Sequence, residues 1–202
     1  MPRGKVEQIP DDGLTTRERR EQPVLAVHTG DGKGTSTAAF GLALRAWSAG
    51  WPIGVFQFTK SPKWRGGEED ALLALGRVHA ATGRGAPVTW HRMGAGWSWL
   101  RTPPEDHARA AIEGWRQVRR DLDAQTYRLL ILDEFTYPLA NGTLDVDEVL
   151  AVLAARPGTQ HVVITGRRAV PALVDAADLV TDMTKVKHPM DAGRKGQRGL
   201  EW

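Results

Sequence analysis

"VLAVHTGDGKGTSTAAFGLALRAWSAG", residues 24–50, joins a short apolar run to a stretch of helical period through a turn crowded with glycines and hydroxyls. Strand, glycine-rich turn and helix start, in that order, make a phosphate-binding arrangement. Glycines let the backbone come close with its N–H groups turned inward, and the helix N-terminus adds partial positive charge. The usual form of such a loop is G-x-x-x-x-G-K-[ST], with lysine after the second glycine to reach the terminal phosphates and a hydroxyl after it to hold magnesium. Here three residues, not four, separate Gly30 from Gly34, and Gly34 is followed by Thr35, Ser36 and Thr37. Ser36 keeps the hydroxyl position. Thr35 stands where lysine is expected, and the only lysine of the loop, Lys33, precedes the last glycine. Most of the cradle is backbone, so residues 30–37 still read as a phosphate site without that side chain.

Outward from the loop, the same alternation repeats. After "VLAV" (24–27) come the apolar runs "IGVFQF" (53–58), "VTW" (88–90), "LLILDE" (129–134), "HVVIT" (161–165) and "LVTDM" (179–183). Several are apolar throughout, as strands covered on both faces require. Between them, residues 36–50 place Ala39, Leu42, Ala43 and Ala46 on one stripe and end at Gly50, a helix C-terminal signal. Residues 104–125 and 145–156 are also periodic, the second opening on acidic residues that favour a helix N-terminus. Strands alternating with helices predict an α/β fold, a parallel sheet flanked by helices with its ligand site outside the carboxyl ends of the strands. A single domain is expected over residues 23–202, preceded by a polar N-terminal arm, residues 1–22, that orders only against something else.

Composition bounds the rest. A chain of 202 residues is long enough for a core without crosslinks, and with no cysteine it has neither a disulfide framework nor a thiolate site. The N-terminal residues hold no apolar stretch, and nothing approaches the roughly 18 consecutive apolar residues of a membrane span, so a cytoplasmic protein with no membrane partner is expected. Twenty-seven Lys and Arg against 24 Asp and Glu leave a net charge of +3, too small to argue for nucleic acid. The positive excess gathers in "TKVKHPMDAGRKGQRG" (184–199), which is either a solvated basic tail or a surface for an anionic ligand. Eight tryptophans are many for this length; some belong to the core, and others could form a flat apolar wall for a large planar ligand.

The run "LLILDE" ends in Asp133 and Glu134, the acidic end of a central strand, where carboxylates can hold magnesium opposite the Ser36 hydroxyl. "VVITGRR" gives a third strand end, with Arg167 placed to reach a phosphate or ribose. His91 and His188 belong to no cluster with ligand spacing, so structural roles are expected for both.

The segments "HTGDGKGTSTAAFGLALRAW", "VFQFTK", "GAGWSW", "LDEFTYPL", "RPGTQHVVITGR" and "VKHPMDAGRKGQRGLEW" follow one another in this chain. As an ordered set they resemble the corrinoid adenosyltransferases, which transfer the adenosyl group of ATP to cobalt, and the resemblance runs from about Pro23 to Trp202. It implies a RecA-like P-loop fold, a homodimer, and an N-terminal arm that helps to cover the active site. It also implies ATP and a corrinoid as substrates, Mg2+, and a flavoprotein or other reductase that supplies Co(I). The family loop T-G-x-G-K-G-K-[ST]-T has the three-residue spacing found here, and its lysine corresponds to Thr35, so this chain departs from the family at a position that touches the triphosphate. By the same resemblance ATP would meet Gly30, Asp31, Gly32, Lys33, Gly34, Thr35, Ser36, Thr37, Arg45 and Arg167, and magnesium would meet Ser36 and Glu134. Trp97 and Trp99 of "GAGWSW" would lie under the corrin. No general base is implied; Lys33, Ser36, Glu134 and Arg167 would stabilise the leaving triphosphate. The basic tail, Lys185 to Arg198, would cover either the triphosphate or the amide-bearing edge of the corrin. Two alternatives stay open: an ordinary P-loop ATPase or kinase, and a non-catalytic corrinoid- or nucleotide-binding homologue.

Overall fold

The computed structural model describes residues 12–59, 66–94 and 103–200. Six strands form one all-parallel sheet: β1 (Leu25–Thr29), β2 (Ile53–Gln57), β3 (Val88–Arg92), β4 (Leu129–Asp133), β5 (His161–Thr165) and β6 (Leu179–Asp182). Their spatial order is β3-β2-β4-β5-β1-β6. β1 therefore lies between the two strands that come last in the chain. The strands agree with the six apolar runs to within two residues at either end, and the run 161–165 coincides with β5.

The helices cover both faces. On one, α2 (Thr35–Ser48) and α3 (Gly67–Thr82) bury Ala39, Phe40, Ala43, Ala46 and Leu72 against Ala26, Ile53, Val55, Ile131 and Val163. The other carries α4 (Pro104–Asp123), α5 (Thr136–Ala140), α6 (Val146–Ala155) and α7 (Pro171–Ala176), with Trp115, Val118, Leu122, Leu139, Leu153 and Leu173 over Val27, Phe56, Leu130, Leu132 and Ile164. β2 and β4 are buried along their whole length, which is why their sequences show no polar alternation. β6 closes an edge and is exposed throughout.

Local signals place the helix ends. α4 opens with proline at its first positions followed by Glu105 and Asp106, and at α6 the Asp145 side chain accepts from the Glu148 N–H at 2.9 Å. α1 (Thr16–Glu21) stands inside the polar arm, fixed by a capping box between Thr15 and Glu18, and buries no residue. α3 escaped the periodicity reading because it starts on Gly66 and Gly67, carries Gly76 inside and buries only Glu69 and Leu72. α5 and α7, five and six residues long, are shorter than such a pattern can register. Among the described residues no helix is long and apolar enough to cross a membrane.

Candidate functional site

Four strand ends meet at the carboxyl edge of the sheet: β1 with the loop that follows it, β4, β5 and β6. The loop opens at Gly30, with φ +104, where a β-carbon would collide with the Asp182 carboxylate; only glycine holds this backbone. Gly34 then stands at the N-cap of α2, and no side chain caps that helix. The first-turn N–H groups, which lack partners within a helix, point out of the end of α2 as an anion site requires. Buried His28 lies beneath, its Nδ1 3.3 Å from the Thr35 carbonyl. Thr35 and Ser36 are half-buried, and Asp31, Lys33 and Thr37 face solvent.

Asp133 and Glu134 take different parts. Asp133 is fully buried; its Oδ1 accepts from Thr165 Oγ1 at 2.9 Å and its Oδ2 from Gln57 Nε2 at 3.0 Å. Both carboxylate oxygens are thus engaged across the strands on either side of β4. Thr165 Oγ1 also accepts the backbone N–H of Glu134 at 3.0 Å. Glu134 has φ +62, a left-handed backbone that costs a non-glycine residue energy and persists only where its surroundings impose it. Thr165 ties that turn to the buried Asp133, and Glu134 Oε2 lies over the end of β5, within 3.3 Å of where a β-carbon on Gly166 would stand. Replacing Thr165 with Val should cost about 1–3 kcal/mol, because it strips a partner from one buried oxygen and one N–H at once. Urea denaturation measures this, and an unchanged midpoint would mean that the network adds nothing.

Arg167 follows Gly166 and is exposed; its carbonyl accepts from Thr136 Oγ1 at 2.6 Å, and the Ala169 N–H donates to Thr29 Oγ1 at 3.2 Å, which draws this segment across the end of β1. Tyr137, unmarked by the sequence reading, sits beside both: burial first, and then the Glu134 carboxylate, push its hydroxyl above the usual value, while Arg167 and Arg168 act the other way. The loop, Ser36, Glu134 and Arg167 are therefore brought to one end of the sheet.

Arg45 is not. It lies in the last turn of α2, ten residues beyond Thr35 and so about 15 Å along the helix axis, where it lines an apolar cavity of about 710 Å³ between α2 and the sheet. His28, beneath the loop, and Ala38, in the first turns of α2, line the same cavity. Trp97 and Trp99 lie outside the described residues. His91 stacks on Phe56 at 4.6 Å with Nε2 3.0 Å from the Tyr127 hydroxyl, and His188 Nδ1 accepts from the Met190 N–H at 3.1 Å. Gln57, Thr165 and the Asp182–Met183 step were not legible, because only strand pairing brings them to the site.

Among the described residues no three His, Cys, Asp or Glu side chains converge as a metal site. A divalent cation here would take one carboxylate, Glu134, one hydroxyl, Ser36, and complete its shell with phosphate oxygens and water, a donor set that suits magnesium.

Comparison with known proteins bears on the same region. A family model described as ATP:corrinoid adenosyltransferase BtuR/CobO/CobP matches residues 21–202. The chain is 39% identical to a corrinoid adenosyltransferase of Pseudomonas aeruginosa, covering 95% of this chain and 89% of that protein. It is 36% identical to the corrinoid adenosyltransferase CobA of Salmonella typhimurium, over 95% and 91%, and 35% identical to a corrinoid adenosyltransferase of Escherichia coli over the same shares.

Proposed function

This chain belongs to the ATP:corrinoid adenosyltransferase family, and we infer from that membership and from the site that it transfers the 5′-deoxyadenosyl group of ATP to the Co(I) of a corrinoid, releasing triphosphate. The Co–C5′ bond forms from the cobalt electron pair as the bond from C5′ to the triphosphate oxygen breaks, and that bond's electrons leave on the triphosphate. No proton moves in this step, so the protein needs no general base. It must orient two substrates, exclude water and meet the charge of the leaving group.

The residues divide accordingly. Backbone N–H groups of the loop from Gly30 to Thr37, other than that of Gly32, and the uncapped start of α2 hold the triphosphate, with Lys33 and Arg167 as cations beside it. Ser36 and Glu134 hold Mg2+, which when bound neutralises charge on the departing oxygens. Asp133 is a positioning residue: it keeps Thr165, and through it the Glu134 backbone, in place. Trp97 and Trp99 face the corrin, the arm of residues 1–22 covers the site, and the working form is a cytoplasmic homodimer served by a flavoprotein or other reductase.

The observation that carries this reading is the uncapped N-terminus of α2 facing the same strand ends as the strained Glu134, within a chain matched to the family over residues 21–202. The test is to mix the protein with chemically reduced Co(I) corrinoid and MgATP under anaerobic conditions and follow the corrin spectrum and the phosphate products. Triphosphate should appear in step with the alkylated corrin. Release of ADP or inorganic phosphate, with no change in the corrin, would assign an ordinary ATPase or kinase instead.

A further inference from the structure

The segment that leaves β6 lies against the phosphate loop. The Met183 N–H donates to the Thr29 carbonyl at 2.7 Å, and the Gly32 N–H donates back to the Met183 carbonyl. A β-carbon on Gly32 would stand 3.0 Å from the Thr184 carbonyl carbon, the atom to which the nitrogen of Lys185 is bonded. Lys185 therefore starts its flexible four-carbon stem at the edge of the loop, held there by two backbone hydrogen bonds. In the structure its ammonium rests on Asp191 Oδ1 at 2.7 Å, with 42% and 55% of the two side chains exposed. An exposed pair of this kind contributes little and is readily exchanged for a better acceptor.

The loop itself lacks the cation that follows the last glycine, since Thr35 occupies that position. Lys187, Arg194, Lys195 and Arg198 lie farther along the same segment, and Arg45 is in the last turn of α2. We propose that Lys185 supplies from the C-terminal segment the cation that position 35 does not, leaving Asp191 for the terminal phosphate oxygens when a triphosphate enters the loop. The assignment rests on the nucleotide reading above and adds to it a residue that no loop motif contains. It also gives the start of the basic segment, at Lys185, a definite role beside the triphosphate.

Calorimetric titration of the full chain with MgATP and, separately, with inorganic triphosphate tests it. Lys185→Ala should weaken both ligands by about 10- to 100-fold, the size of a hydrogen bond to a charged group. Lys195→Ala removes the same charge farther along the segment and should leave both affinities near the parent values. Lys185→Arg, which keeps the charge, should retain most of the binding. Thr35→Lys should restore binding when added to Lys185→Ala, because it returns a cation to the loop. Equal binding by the parent and Lys185→Ala overturns the proposal, as does failure of Thr35→Lys to rescue. A parent protein that binds neither ligand would overturn the nucleotide reading, and this proposal with it.

Discussion

Replacing Glu134 with Gln should lower kcat/KM by about 100- to 1000-fold, the usual loss when one preorganised electrostatic contact to a transition state is removed. Glutamine keeps the size and hydrogen-bonding reach of the side chain but lacks the charge by which Glu134 is proposed to hold magnesium. The backbone at this position stays in its left-handed turn because Thr165, not the Glu134 side chain, holds the N–H. Folding should therefore be nearly unaffected, while the magnesium concentration for half-maximal rate rises. A variant with the parent rate and the parent magnesium titration would remove Glu134 from the site. Glu134→Gly separates strain from chemistry: glycine adopts φ +62 without penalty, so the variant should match or exceed the parent in melting temperature while losing the same activity.

The largest loss of stability should come from the next residue. Phe135 is fully buried, with its ring 4.6 Å from Phe58 and 5.4 Å from Trp115, centroid to centroid. It joins the end of β4 to the helices on that face of the sheet, and truncation to Ala leaves a cavity that those rings cannot collapse into. The expected cost is about 3–5 kcal/mol. For a chain of this size each kcal/mol lowers the melting temperature by about 2–4 °C, so the variant should melt about 6–20 °C below the parent. Phe135→Leu, which refills most of the volume, should lose less than half of that. A thermal scan of the three proteins decides it, and equal melting temperatures would show that the aromatic cluster is not part of the cooperative core. Because Phe135 lies directly between Glu134 and Thr136, the Ala variant should also lose turnover at temperatures where it remains folded.

The strands and the glycine-rich turn between β1 and α2 were legible because each rests on local pattern. An apolar run of four residues, 24–27, leading into Gly30, Gly32 and Gly34 needs no knowledge of partners, and the same holds for β4 with its acidic end. Asp133 and Glu134 read alike in sequence; they part only because Gln57 stands opposite Asp133 in the register of β2 and β4, and Thr165 reaches it from β5. No spacing rule joins residues 57, 133 and 165. The contact of Met183 with Gly32 is equally non-local, since it needs β6 to lie beside β1. At 1.5 Å per residue the helix sets Arg45 about 15 Å along its axis from Thr35, a separation that the sequence already contained.

The position of β1 between β5 and β6 governs how the protein can be made. The loop-bearing strand is synthesised first, yet both of its hydrogen-bonding neighbours are synthesised last, from residue 161 onward. While the ribosome lengthens the chain, β1 has no ladder to join, and the loop after it has neither the end of β5 nor Met183 to shape it. Long-range parallel pairing of this kind is slow and comes late in folding. A premature stop between the end of the glycine loop and β5 should yield a product with every residue of that loop and no capacity to hold nucleotide, so such a truncated translation product would not sequester ATP.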